Sequence, residues 1–189
     1  MFGKFVIASL LITSVTSGAF ADDAKKAAPM EMPKPAQQIA DRAKMMGGTM
    51  KCTGTSAGMD GKDVAFSGTF TAKSDLDGWW LHESFSGIAG PAKGGMSYKF
   101  ERFATFDAST KKWRYLFADN FGGQMVGTSD DMKDGKSEAQ YEQQSAMGKS
   151  QMKDSVDASD LKKGVHMMGQ LSMDSGKTWV KAYDMVCKK

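Results

Sequence analysis

Arg102 is one of only three arginines in the chain, with Arg42 and Arg114, and it stands in unusual company. Read at period two, Tyr98, Phe100, Arg102, Ala104 and Phe106 share one face of a segment, against Lys99, Glu101, Phe103 and Thr105. Glu83 stands in a similar place, on a face with Trp79, Leu81 and Phe85. A guanidinium and a carboxylate on otherwise apolar faces suit two chemistries. They can pair with each other as a buried structural ion pair, or the guanidinium can receive the anionic head of a ligand. Structural pairing is the commoner arrangement and the first expectation here.

The other reactive side chains are few. His82 and His166 are the only histidines. An interior haem needs an inward proximal histidine. By alternation His166 lies opposite the apolar face Val165, Met167, Gly169, Leu171, Met173, and His82 shares a face with Trp80, Ser84 and Ser86. Both are expected to face solvent. Sixteen methionines are present, and His166-Met167-Met168 invites a copper reading because thioethers bind Cu(I). They are scattered, without a recurring M-x-x-M cluster, which suits adaptable core filler or the lining of an apolar pocket. No G-x-S-x-G, H-E-x-x-H, P-loop or paired catalytic carboxylates occur. The sequence therefore assigns no catalytic residue, no metal ligand and no cofactor, and reads as a non-enzyme.

Cys52 and Cys187 are the only cysteines, with no C-x-x-C spacing. In an oxidising compartment such a pair favours a disulfide over free thiols or a metal pair. Closing so long a loop is worth about 4–5 kcal/mol in the chain-entropy model. The N-terminus points to that compartment. Lys4 precedes the apolar run Phe5–Ile12, and Ala19-Phe20-Ala21 stands before Asp22-Asp23. This is the layout of a secretory signal peptide, residues 1–21, cleaved after Ala21. The run is much shorter than the ~20 residues a spanning helix needs. A periplasmic or extracellular protein with no membrane span is expected. The net charge of +3 is spread over mixed signs with no basic stripe, which argues against nucleic acid as a partner.

These residues need elements to position them. Residues 22–35, with Pro29, Pro33 and Pro35, read as a flexible linker. Gln37 to Met46 predicts a short helix with Ile39, Ala43 and Met46 at helical spacing, stopped by Gly47-Gly48. From Thr49 the period changes to two. Val64 to Ala72 alternates Val, Phe, Gly, Phe, Ala with Ala, Ser, Thr, Thr, and Trp113, Tyr115 and Phe117 alternate with Lys112, Arg114 and Leu116. Turn signals separate the runs: 59–62 (MDGK), 75–78 (DLDG), 107–110 (DAST), 120–123 (NFGG), 133–136 (KDGK) and 174–177 (DSGK). The stretch from Tyr141 to Lys153, rich in Gln, Ser, Lys and Glu, is expected to be the most exposed. The predicted fold over 36–189 is all-β: an antiparallel up-and-down barrel of about ten strands with a short N-terminal helix. Closure removes the edges and would set the first strand beside the last, so that the disulfide pins the seam. A two-sheet sandwich is the competing fold.

The whole pattern resembles the lipocalin-like, calycin-type barrels, and more narrowly the small secreted bacterial barrels of unknown function. Gly48-Thr49-Met50-Lys51-Cys52-Thr53-Gly54 is similar to the G-x-W-x-x-x-G opening of such barrels, including the haem-binding nitrobindins, with Met50 where Trp is usual. Ser172-Met173-Asp174-Ser175-Gly176-Lys177-Thr178-Trp179 fits S-x-D-x-G-x-T-W, the Asp-box hairpin of sialidase propellers, and 106–113 is a degraded echo. The chain is too short for a propeller, so the box reads as a hairpin staple. Together these features lead to an expected function: non-catalytic binding of a small apolar molecule. The pocket would be lined by Trp79, Phe100, Phe106, Trp113, Tyr115 and Phe117, with Arg102 as its polar handle and Glu83 beside it. A haem- or copper-binding barrel, and a structural envelope protein whose barrel is filled by its own side chains, are the alternatives. Oligomeric state is not readable.

Overall fold

Ten strands build one continuous sheet, and the sheet closes on itself. The computed structural model describes residues 32–58, 62–91, 93–146 and 148–189. Residues 1–21, read above as a signal peptide, most of the stretch 22–35 read as a linker, and most of the 59–62 turn lie outside the described residues. A helix, α1 (Gln37–Met46), leads into ten strands. They are β1 (Gly48–Ala57), β2 (Asp63–Asp75), β3 (Trp80–Ala89), β4 (Met96–Asp107), β5 (Lys112–Asp119), β6 (Gln124–Asp130), β7 (Lys136–Ser145), β8 (Gly148–Asp157), β9 (Val165–Ser172) and β10 (Val180–Lys188). Each strand pairs antiparallel with its sequence neighbours, and β1 pairs with β10 to complete a closed barrel. The structure adopts the predicted barrel and not the sandwich.

The seam carries the disulfide. Cys52 and Cys187 are direct register partners across β1 and β10, and they are bonded and buried. Inward positions hold the core: Met50, Phe70, Leu81, Phe85, Ala104, Trp113, Tyr115, Tyr141, Val165, Met167 and Met185 are all buried. Outward positions are polar, as at Lys51, Lys73, Glu101, Lys112, Arg114, Gln140 and Glu142. This is the reverse of a membrane barrel, whose lipid face is apolar and whose lumen is polar. No described helix is long and apolar enough to cross a membrane.

The helix packs on β2, β3 and β4 at the barrel end where β1 begins. Its buried stripe is Ile39, Arg42 and Met46, with Ala43 half-buried. The spacing i, i+3, i+7 is the helical one expected, but a charged residue occupies its middle. The chain leaves the helix at Gly47, whose N–H returns to the Ala43 carbonyl at 2.7 Å.

At the opposite end, the Asp-box between β9 and β10 is a hydrogen-bonded staple. Asp174 Oδ1 accepts from the Ser172 hydroxyl and from the amides of Lys177 and Thr178, and its Oδ2 accepts from the Thr178 hydroxyl at 2.6 Å. Gly176 takes φ +83°, and Trp179 Nε1 donates to its carbonyl. The echo at the β4–β5 turn repeats the device: Asp107 Oδ1 accepts from the Ser109 hydroxyl and from the amides of Ser109 and Thr110. The Thr178 hydroxyl holds the Asp174 pKa down at about 2, and the Ser109 hydroxyl does the same for Asp107, from an ordinary 3.8. A carboxyl depressed on folding contributes stability above its unfolded value, and that contribution is lost as pH falls through the folded value. Urea midpoints measured from pH 5 down to pH 2 are therefore expected to fall in the wild type. The double variant D107A/D174A starts lower at pH 5, and its curve converges with the wild type toward pH 2.

Candidate functional site

Two register pairs assemble a polar floor inside the barrel. Glu83 on β3 faces Arg102 on β4, and Tyr141 on β7 faces Met152 on β8. Arg102 Nε donates to Glu83 Oε2 at 2.6 Å, and its Nη1 donates to the Tyr141 hydroxyl at 3.1 Å. The same Nη1 lies 3.5 Å from Asp154 Oδ2, and Asp154 Oδ1 accepts from the Tyr183 hydroxyl at 2.9 Å. A second cluster sits toward the helix. Arg42 reaches inward from α1, donates to the Tyr115 hydroxyl at 2.8 Å and stacks 4.7 Å above the Trp113 ring. The Tyr115 hydroxyl also meets Ser129 Oγ at 2.8 Å. Glu83 Oε1 and Arg42 Nε are buried with no hydrogen-bond partner among the described residues.

Burial is the largest single influence on Arg42, Arg102 and Asp154, and at the two arginines their neighbours together overcome it. It lowers the tendency of Arg102 to hold its charge, but Glu83, Tyr141 and Asp154 outweigh it and leave the guanidinium pKa well above its ordinary value. Burial raises the Asp154 carboxyl, with Arg102 pulling the other way. The phenols of Tyr98, Tyr141 and Tyr183 are all pushed up by burial and stay protonated at neutral pH.

Above this floor is a cavity of about 260 Å³. Phe66, Phe85, Phe100 and Phe117 line one side in a continuous series, with ring centroids 5.1, 5.8 and 4.8 Å apart along it. Met152, Val156, Met167, Leu171 and Met185 line the other side. Ala57, Ala89, Met96, Asp119 and Ala182 belong to strand ends away from α1, so the cavity extends to that end of the barrel. Two grooves of about 570 and 480 Å³ run over the outer surface of β5–β8 along the row Leu116, Val126, Glu142, Gln151. They lie on the wet face of the barrel.

The structure sorts the sequence-predicted residues into three groups. Phe100, Phe117 and Arg102 line the cavity. Glu83 lies beneath Arg102 and is fully buried, while Phe106, Trp113 and Tyr115 pack at the helix end outside the cavity. Trp79 is out of place altogether. It caps the 3-10 turn Leu76–Gly78 in helical geometry (φ −76°, ψ −20°), which ends the alternation before β3 begins. The residue is 38% exposed, its carbonyl accepts from the Thr105 hydroxyl, and it does not line the pocket. Arg102 as receiver of an anionic head gives way to the ion pair with Glu83. Both histidines project outward: His82 pairs with Glu101 and stacks on Phe103, and His166 pairs with Asp184. A haem inside this barrel would find no histidine. No group of three or more His, Cys, Asp or Glu among the described residues is placed to hold a metal.

Among the polar residues of the site not singled out from the sequence are Arg42, Tyr141, Asp154 and Tyr183. Two signals were available. Arg42 lies on the Ile39–Met46 stripe, and Asp154 alternates with Met152 and Val156 on one face. The stretch from Tyr141 to Lys153 is less uniformly exposed than expected, because Tyr141 is buried and Met152 half-buried on its inner face.

No protein-family model matches the chain, and no curated protein matches it. Among solved structures, Rv2717c from M. tuberculosis superposes with a TM-score of 0.58 at 10% identity, covering 82% of this chain and 99% of that one. At that identity the likeness concerns the fold alone. A designed fluorescence-activating β-barrel aligns with a TM-score of 0.38 at 17% identity, over 58% of this chain and 90% of that one, and carries no argument.

Proposed function

We propose that this chain binds a small, largely apolar molecule inside its barrel and performs no chemistry on it. The observation that supports this reading best is the cavity: apolar walls above a buried polar floor, reaching the barrel end opposite the helix. Sites of this kind hold their ligand by apolar area and orient it with a few polar groups. At about 260 Å³ it lies at the small end of such sites, which suggests a ligand below drug size. A barrel filled by its own side chains would leave no such space. The buried Cys52–Cys187 disulfide favours a periplasmic or extracellular setting, as the N-terminal sequence does.

The test is titration of an environment-sensitive apolar dye against the wild type and Ala182→Trp. Ala182 is the extra residue of a bulge in β10 and lines the cavity, so an indole there obstructs it while disturbing little of the core. The variant is expected to bind about tenfold or more weakly, a loss of about 1.4 kcal/mol. Equal affinity for both proteins would place the dye elsewhere and sink the proposal.

A further inference from the structure

We propose that the ligand of this cavity is a neutral, flat aromatic molecule carrying one hydrogen-bond donor, lying between two unlike walls with its donor on Asp154. The inference rests on the binding role proposed above and names the ligand class.

The first argument is the pairing of walls. In the closed order of ten strands, β3 and β4 stand across the barrel from β8 and β9. The wall of β2–β5 supplies Phe66, Phe85, Phe100 and Phe117, and the wall of β8–β10 supplies Met152, Met167 and Met185. Rings prefer offset or edge contacts with other rings, and thioethers make favourable contacts with aromatic rings. A flat π-system between them gains on both sides, whereas a saturated molecule of the same size gains only apolar area.

The second argument is charge. Among the described residues the buried charged side chains are Arg42, Glu83, Arg102 and Asp154, two of each sign, and the half-buried Asp119 that also lines the cavity is already taken by the amides of Phe121 and Gly123. Arg102 is already held by Glu83 and Tyr141. An anionic or cationic ligand would add a charge to a closed, balanced set, and a buried charge without its own partner is strongly penalised.

The third argument is the kind of hydrogen bond on offer. Asp154 lines the cavity, and a carboxylate has about four acceptor positions. The Tyr183 hydroxyl takes one of them on Oδ1, the Tyr141 hydroxyl also lies against the carboxyl, and Oδ2 stands at 3.5 Å from Arg102 Nη1, an ion-pair separation longer than an ordinary hydrogen bond, so at least one position stays open. The floor therefore offers an acceptor to an O–H or N–H group.

The experiment is calorimetric titration at pH 7 of the wild type and Asp154→Asn with naphthalene, 2-naphthol, 2-naphthoate, 2-naphthylmethylamine and the saturated 2-decalol. Circular dichroism checks that the variant is folded. For the wild type, 2-naphthol is expected to bind tightest, about tenfold or more ahead of naphthalene, as for a hydrogen bond to a charged acceptor. The naphthoate, the ammonium and 2-decalol should each trail it. In Asp154→Asn the buried set carries one excess positive charge, so the 2-naphthol advantage should shrink and 2-naphthoate should gain. A wild type that prefers the naphthoate, the ammonium, 2-decalol or naphthalene itself would overturn the ligand class while leaving the cavity as a binding site. Failure of all five ligands would overturn the binding role and this inference with it. If Asp154→Asn does not fold, the wild-type series alone decides.

Discussion

Oxidised wild type is expected to exceed the double variant C52A/C187A in stability by about 4–5 kcal/mol, measured by urea unfolding. The size follows from the sequence separation of 135 residues between the two cysteines, which cross-link nearly the whole folded chain. In the chain-entropy account the disulfide acts on the unfolded state, because the loop it closes removes disorder that the unfolded chain would otherwise gain. The native barrel does not depend on it for closure, since β1 and β10 remain paired from Lys51↔Lys188 to Ser56↔Tyr183. The variant should therefore still fold, with native circular dichroism and a lowered midpoint. Alanine is the right replacement because both sulfurs are buried, and serine would bring unpaired hydroxyls into that space. Wild type treated with reductant should match the variant. A difference below about 1 kcal/mol would show that native strain or residual unfolded structure cancels the effect.

The second large effect belongs to Glu83. Glu83→Ala is expected to destabilise the protein by about 3–5 kcal/mol, as for a buried ion pair broken from one side. Arg102 would be left inside the barrel with Tyr141 and the more distant Asp154 as partners. It cannot relieve the cost by losing its proton, since a guanidinium stays protonated inside proteins. Replacing both members with apolar residues of similar size, as in E83L/R102M, should cost less than the two single changes added together. That non-additivity, read in a double-mutant cycle by chemical denaturation, separates an ion pair from two independent packing residues. Additive losses would contradict the pairing.

Strand alternation made the barrel legible, because apolar and polar residues keep period two through nearly every strand. The helix was legible too, from Ile39 and Met46 with Gly47-Gly48 behind them. The site was legible only in part, for a physical reason. Alternation tells which face a residue takes but not how far along the barrel it lies. Phe100 and Trp113 both face inward, yet one lines the cavity and the other packs against Arg42 at the helix end. Trp79 failed for a different reason. The Leu76–Gly78 turn has a local backbone preference that overrides the alternation beside it, with Asp75 capping Leu76 and Asp77 at positive φ. Asp154 and Arg42 were missed because a charged residue in a polar-rich stretch reads as solvated. Only the burial of its partners, Tyr183 for one and Trp113 with Tyr115 for the other, reveals it as interior.

Methionine methyl NMR offers the most direct test of the central claim, because the protein carries its own reporters inside and outside the cavity. With the methyl groups of methionine labelled with carbon-13, 2-naphthol is titrated into the full-length protein. Binding in the barrel interior predicts saturable shifts for Met152, Met167 and Met185, which line the cavity. The methyls of Met46 and Met50, buried near the helix end, should stay in place. Shifts confined to exposed methionines such as Met173, or none at saturating ligand, would contradict an interior binding site.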